Sequence, residues 1–224
     1  LGLDADRLYI TVFEGDENTP KHDESFKIWK QYIPENRIYY MGAESNWWEA
    51  GENGPCGPDT EMYYDVTGEL GDLDKESFIK ADDEQKIVEI WNDVFMQFEK
   101  KDGKIVGELP RHAVDTGAGL ERLVTVKNNK ESVYETDLFS EILEKIGNTE
   151  KNRVIVDHIR SAVMLISDGV IPSNTDRGYI LRRIIRRAVK NASNIDISEV
   201  AEFFINKMGS VYPEIKDKRS HILE

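Results

Sequence analysis

Asp115, Gly117, Gly119, Glu121 and Arg122 lie in one short stretch, Val114-Asp115-Thr116-Gly117-Ala118-Gly119-Leu120-Glu121-Arg122-Leu123. A carboxylate such as Asp115 can hold an ammonium group. The guanidinium of Arg122 is a planar fork suited to phosphate oxygens. Glycines at 117 and 119 let a backbone approach a ligand closely or adopt positive φ. Ammonium at one end and phosphate at the other is what a site that activates an amino acid needs. The stretch reads as the end of a strand followed by a helix, and a helix starting near Asp115 would carry Arg122 about two turns along. Taken alone, the same residues also describe a strand-to-helix turn whose glycines serve packing and whose Glu121 and Arg122 are solvated.

Further chemistry lies upstream. Residues 86–100 alternate as a strand, with Ile87, Glu89, Trp91, Asp93 and Phe95 on one face and Val88, Ile90, Asn92, Val94 and Met96 on the other. Asn92 stands among apolar side chains, and a buried amide needs partners, from a neighbouring loop or from a ligand. Asn46-Trp47-Trp48 places adjacent tryptophans before Gly54-Pro55-Cys56-Gly57-Pro58, which reads as a rigid loop because proline fixes φ and glycine permits tight turning. One tryptophan is expected to bury against the sheet. Cys56 has no second cysteine and no nearby histidine for a zinc site, so a free structural thiol is expected. Glu61, Tyr63 and Asp65 share a face of another strand, and residues 65–85 read as an exposed acidic loop. His158 sits beside Asp157 and is expected to be solvated or structurally bonded.

In residues 179–190 Arg182, Arg183, Arg186 and Arg187 fall on one side of a helix, opposite Leu181, Ile184, Ile185 and Ala188. Such a face is either solvated and paired with the protein's own carboxylates, or a phosphate-binding surface, for which arginine's bidentate fork is suited. Asn174 lies in the loop just before it.

The elements needed to position these groups can be read in order. Strands are expected at 8–13, 37–41, 61–65 and 86–100, with a short helix near 25–32. Asp102-Gly103 signals a hairpin returning a strand into the Asp115 stretch. Hairpin-linked antiparallel strands closing on a strand-helix unit give an α+β class. Gly147-Asn148-Thr149 reads as a helix stop and linker, and helical periods follow at 154–167, 179–190 and 198–208.

The chain has 224 residues, 39% hydrophobic and 32% charged, enough for a sizeable core. A net charge of −14 argues against a protein wholly devoted to nucleic acid, though not against a local basic patch. The single cysteine excludes an internal disulfide and suits a reducing, cytoplasmic setting. No apolar run has the length of a membrane span. Leu1 is not an initiator methionine and no signal-peptide pattern follows it, so the chain reads as a piece of something longer.

The stretch Asp115-Thr116-Gly117-Ala118-Gly119-Leu120-Glu121-Arg122 resembles motif 3 of the class II aminoacyl-tRNA synthetases, in the form found in the alanyl-tRNA synthetase family. Three other stretches resemble the same family in the same order. They are Asn46-Trp47-Trp48 with Gly54-Pro55-Cys56-Gly57-Pro58, then Glu89 to Phe98, then Pro172-Ser173-Asn174 with Arg177-Gly178-Tyr179-Ile180-Leu181-Arg182-Arg183. The resemblance implies an antiparallel-sheet class II core, incomplete at its start, over residues 1–146. A helical tRNA-recognition domain would begin over residues 147–224. It implies an alanine pocket shaped by Trp48, Asn92, Val94, Asp115 and Gly117, with Asp115 on the α-ammonium. Arg122 would meet the phosphates of ATP, which arrives with Mg2+, and Glu61 and Glu89 are further candidate ATP contacts. Asn174 would read the third base pair of the tRNA(Ala) acceptor stem, with Arg182, Arg183, Arg186 and Arg187 on its phosphates. The family's motifs 1 and 2 are not found in these residues, and motif 2 supplies an arginine for the α-phosphate. The 224 residues alone are therefore expected not to activate alanine. A catalytically silent module that binds acceptor stems is the alternative.

Overall fold

Five of the six residues of Leu8–Phe13 are β-branched or aromatic, and they form β1, an interior strand of a six-stranded sheet. A computed structural model describes all residues, 1–224. The chain divides into two compact units, Leu1–Val133 and Tyr134–Glu224.

In the first unit β1 is followed by α1 (Asp23–Trp29), β2 (Ile38–Met41), α2 (Ala43–Asn46), β3 (Trp47–Glu49) and β4 (Gly54–Asp65). Then come α3 (Lys75–Asp83), β5 (Ile87–Lys101), β6 (Lys104–Ala118) and α4 (Leu120–Lys127). The strand order is β2-β1-β4-β5-β6, with β3 also on β4. All pairs are antiparallel except β1 with β2, which run parallel because the chain returns to the sheet through the α1 crossover. The mixed helix-and-sheet class expected from the sequence is thus present, with one parallel pair added. Ile10, Val12 and Ile38 pack with Ile33, Phe26 and Trp29 under α1. Tyr9, Tyr39 and Tyr63 pack on the other face against Phe78 and Ala81 of α3. Asp102 and Gly103 take φ of 48° and 74°, the paired left-handed conformations of a tight hairpin.

Two loop expectations give way here. Residues 54–58 are not a loop but the start of β4. Pro58 is tolerated because the β4–β5 register shifts between Cys56 and Asp59, interrupting the ladder where proline cannot donate, and Pro55 stands at the start of the strand. Gly57 is required by close approach: a Cβ there would stand 1.9 Å from the Phe95 carbonyl oxygen. Within 65–85, Asp74 caps α3 through the Ser77 N–H, and Phe78 and Ala81 are buried. The acidic residues hid this helix because its buried face is only that narrow.

The second unit is all helical: α5 (Ser140–Ile146), α6 (Glu150–Ser167), α7 (Asp176–Asn191), α8 (Ile197–Met208), α9 (Pro213–Asp217) and α10 (Arg219–Leu223). Its core joins Ile155, Ile159 and Val163 of α6 to Ala188, Val200, Phe204 and Ile215. Phe139, Ile142 and Leu143 belong to this core too. The compact units therefore part before Tyr134 rather than at Gly147, which at φ 90° ends α5 inside the helical unit. His158 Nδ1 bonds Asp157 at 2.9 Å, a structural contact within α6.

Candidate functional site

Register decides which side chains of the sheet share a face. Asn92 of β5 lies opposite Glu61 of β4 and opposite Gly117 of β6. Val94 lies opposite Asp59 and Asp115 in the same way. Trp48 pairs with Gly57, which continues the 57-59-61-63 alternation of β4. Trp48, Asn92, Val94, Asp115 and Gly117 are thus brought to one face of the sheet.

Simple alternation puts Glu89 on the face away from Asn92. The structure corrects this. Met62 opposes Trp91, but Tyr63 opposes Glu89, so β5 carries one extra residue between them. The bulge restores Glu89 to the face of Tyr63, Glu61 and Asn92.

Motif geometry also differs from the sequence expectation. Asp115 to Ala118 belong to β6, and the helix starts only at Leu120. Arg122 is therefore in the first turn of α4, not two turns along. Gly119 is the N-cap with φ −75°, and neither Gly117 nor Gly119 adopts positive φ. At Gly117 a Cβ would meet nothing within 4 Å, so open space lies beside the backbone opposite Asn92. Arg122 Nη1 donates to the Glu89 carboxylate at 2.7 Å and to the Glu89 carbonyl at 2.9 Å. This ion pair sits at the end of the shared face, and the guanidinium remains 47% exposed.

The same face carries a buried polar layer. Glu61 is 8% exposed and Asp59 is 2% exposed. Glu61 Oε1 accepts from Asn92 Nδ2 at 3.0 Å, and Oε2 accepts from the Tyr63 hydroxyl at 2.8 Å. Thr11 also donates to Oε2, at 3.4 Å. Asp59 accepts from Asn46 Nδ2 at 2.8 Å. Burial pushes the Glu61 carboxyl up to about 7; its bonds from Tyr63 and Asn92 oppose this, and Asp59 and Glu89 add to it. Burial likewise pushes Asp59 up to about 6, against the bonds from Asn46 and Asn92. Both asparagines turn their nitrogens to carboxylates, and Asn92 Oδ1 and Asn46 Oδ1 are buried with no hydrogen-bond partner. A buried acceptor left unmet costs about 1–3 kcal/mol.

Asp59, Asn46, Thr11 and Tyr63 join the site beyond the residues expected from the sequence. The signal was present for Asp59: with residues 54–58 read as strand, Asp59, Glu61 and Asp65 stand at period two. The expectation that one tryptophan buries also resolves. Trp47 packs on Phe13 and Phe98, with ring centroids 5.5 and 6.0 Å away, while Trp48 is 37% exposed.

In the helical unit, Asn174, Tyr179, Arg182, Arg183 and Arg186 line a cavity of about 260 Å³. Asn174 Oδ1 accepts from Arg182 Nη1. Arg187 is on α7 but not in this lining. The ion pairs of this unit, Lys145–Glu199, Lys207–Glu141, Arg219–Glu202 and His158–Asp157, include none of the four arginines.

The tRNA synthetases class II (A) family matches residues 1–224 in full. The chain belongs to the class II tRNA synthetases. It is 41% identical to the Alanine--tRNA ligase of Myxococcus xanthus over all of this chain and 27% of that protein. It is 42% identical to the Alanine--tRNA ligase of Petrotoga mobilis, over 99% of this chain and 27% of that protein. It is 39% identical to Alanine--tRNA ligase, cytoplasmic, of Caenorhabditis elegans, over 96% of this chain and 25% of that protein. This synthetase chain thus spans about a quarter of the length of these three relatives. In the synthetase sheet no group of three or more His, Cys, Asp or Glu side chains is placed to hold a metal, and no helix is long and apolar enough to cross a membrane.

Proposed function

We propose that the protein carrying this chain is a cytoplasmic alanine–tRNA ligase, in which the sheet unit activates alanine with ATP and the helical unit grips the acceptor stem of tRNA(Ala). The observation that carries the reading is the register that brings Trp48, Asn92, Val94, Asp115 and Gly117 to one face, with the Glu89–Arg122 pair at its end. Asp115 offers a carboxylate to the α-ammonium. Val94 and Trp48 wall a volume suited to a methyl side chain, because an apolar wall excludes water and limits size. Arg122, held by Glu89 yet open to solvent, meets the ATP phosphates. Magnesium arrives with the nucleotide and is bound chiefly by phosphate oxygens, with Glu89, held by Arg122 at the end of the face, as the chain's candidate contact. The chain's contribution is then orientation and charge stabilisation, with no protein nucleophile.

For RNA, the unpaired arginines around the 260 Å³ cavity support phosphate contact. Arg182 occupies the Asn174 carbonyl, which leaves the amide nitrogen as the donor to a base-edge acceptor in the shallow groove of A-form RNA. Alanine-dependent ATP–pyrophosphate exchange and charging of tRNA(Ala) by the full-length protein test the reading. Exchange that depends on another amino acid, or stem binding without exchange, would replace it with a different ligase or with a silent binding module.

A further inference from the structure

We propose that Glu61 is a positioning residue that sets the orientation of the Asn92 amide, so that Asn92 Oδ1 stands as an unpaired acceptor for the substrate ammonium. This rests on the alanine reading above and assigns Glu61 a place behind the pocket in place of an ATP contact.

The geometry runs through three residues. Glu61 accepts on both oxygens: Oε1 from Asn92 Nδ2 at 3.0 Å, and Oε2 from Tyr63 at 2.8 Å and Thr11 at 3.4 Å. An amide has one donor end and one acceptor end. Above about pH 7, where Glu61 is ionised, only the nitrogen can face it, since the reverse orientation would set oxygen against oxygen. Tyr63 fixes the carboxylate from below, and Glu61 fixes the amide. Asn92 Oδ1 is left with no donor in the protein. Across the ladder from Asn92 is Gly117, where no side chain fills the space, and two residues before Gly117 is Asp115. An ammonium entering there carries three N–H donors and finds an unpaired carbonyl and a carboxylate, which together reject a substrate lacking the amine. Asn46 shows the same rule within this layer: its nitrogen bonds Thr11 and Asp59, and its oxygen is left unmet.

The test is a double-mutant cycle in pyrophosphate exchange by the full-length protein, with KM measured for alanine and ATP separately. Glu61→Gln keeps the size of the side chain but no longer dictates which end of the amide faces it. It is expected to raise the alanine KM roughly tenfold while leaving the ATP KM within about twofold, and to add nothing in an Asn92→Ala background. Tyr63→Phe, which releases the second carboxylate oxygen, is expected to act in the same direction by a few-fold, and it carries the test if E61Q fails to fold. An unchanged alanine KM in both variants, an equal rise for ATP, or full additivity with N92A overturns the positioning role while the alanine reading stands. A wild-type protein with no alanine-dependent exchange overturns both.

Discussion

In the sheet unit Asp59 and Glu61 are 2% and 8% exposed, whereas in the helical unit Arg182, Arg183, Arg186 and Arg187 all face solvent. The acids are held in a layer where both Glu61 oxygens and Asp59 Oδ1 accept hydrogen bonds and the cost falls on two asparagine oxygens. The arginines stand apart from the ion pairs of their own unit. Buried groups in fixed geometry select one small ligand and resist salt. Exposed cations bind a polyanion, tolerate imprecise geometry and weaken as salt rises. The net charge of −14 describes neither surface.

The largest expected effect lies in the sheet unit, at Asp115, which is exposed beside the buried acids. Asp115→Asn in the full-length protein should raise the alanine KM by about 10- to 150-fold, since a hydrogen bond to a charged group contributes ~1.5–3 kcal/mol. ATP use should change far less. Equal losses for both substrates would remove Asp115 from the ammonium and leave the buried acids without an exposed counterpart.

On the exposed side, Asn174→Ala should cost ~1–3 kcal/mol on the cognate acceptor stem and little on a stem with a changed third pair. Charging rates on the two stems measure it. A uniform loss on both would make the loop a backbone-positioning element, and the helical unit would then bind charge alone.

How much of this could be read beforehand follows the same division. The arginine face of α7 was legible because helical period and residue type agree there and no tertiary pairing alters them. The strands β1, β2 and β5 were legible for a like reason. Period two fails where pairing intervenes: the extra residue between Trp91 and Glu89 moved Glu89 to the face of Asn92, and no single strand announces its own bulge. Gly57 looked like a turn residue, yet its role is to admit the Phe95 carbonyl, a partner nearly forty residues away. Asp59 was missed for that reason, since a loop reading of its neighbours hid the alternation. Tyr134 to Ile146 was drawn into the sheet domain because Gly147 looked like a linker; only the packing of Phe139, Ile142 and Leu143 assigns it to the helices.

A smaller effect separates the units by pH. Asp59 and Glu61 titrate at about 6 and about 7, above their ordinary values of 3.8 and 4.5, chiefly through burial. The unfolded chain therefore loses these protons first as pH rises from about 4, while the folded sheet still holds them. Folded stability falls through that window and levels off above about pH 7. Hydrogen-exchange protection in β4 and β5, corrected for intrinsic rates, should decline from pH 5 to 7.5 relative to α8. Glu61→Gln should remove much of the decline. Equal change in strands and helix would assign the pH effect to something other than these two acids.

The smallest expected effect concerns Arg186. It lines the cavity with Asn174 and has no ion pair to lose, so its removal costs the fold little. Each phosphate contact contributes to affinity by releasing condensed counterions, which makes that part of binding independent of sequence and dependent on salt. Arg186→Ala should therefore weaken cognate and altered stems by the same few-fold factor and reduce the slope of log affinity against log salt by about 1. Asn174→Ala should leave that slope unchanged. Fluorescence anisotropy with labelled acceptor-stem hairpins, titrated at several salt concentrations, separates the two. If Arg186→Ala alters discrimination between stems and leaves the slope unchanged, then Arg186 contacts a base edge, and the exposed face of α7 shares with the buried sheet site the fixed geometry that was taken to distinguish them.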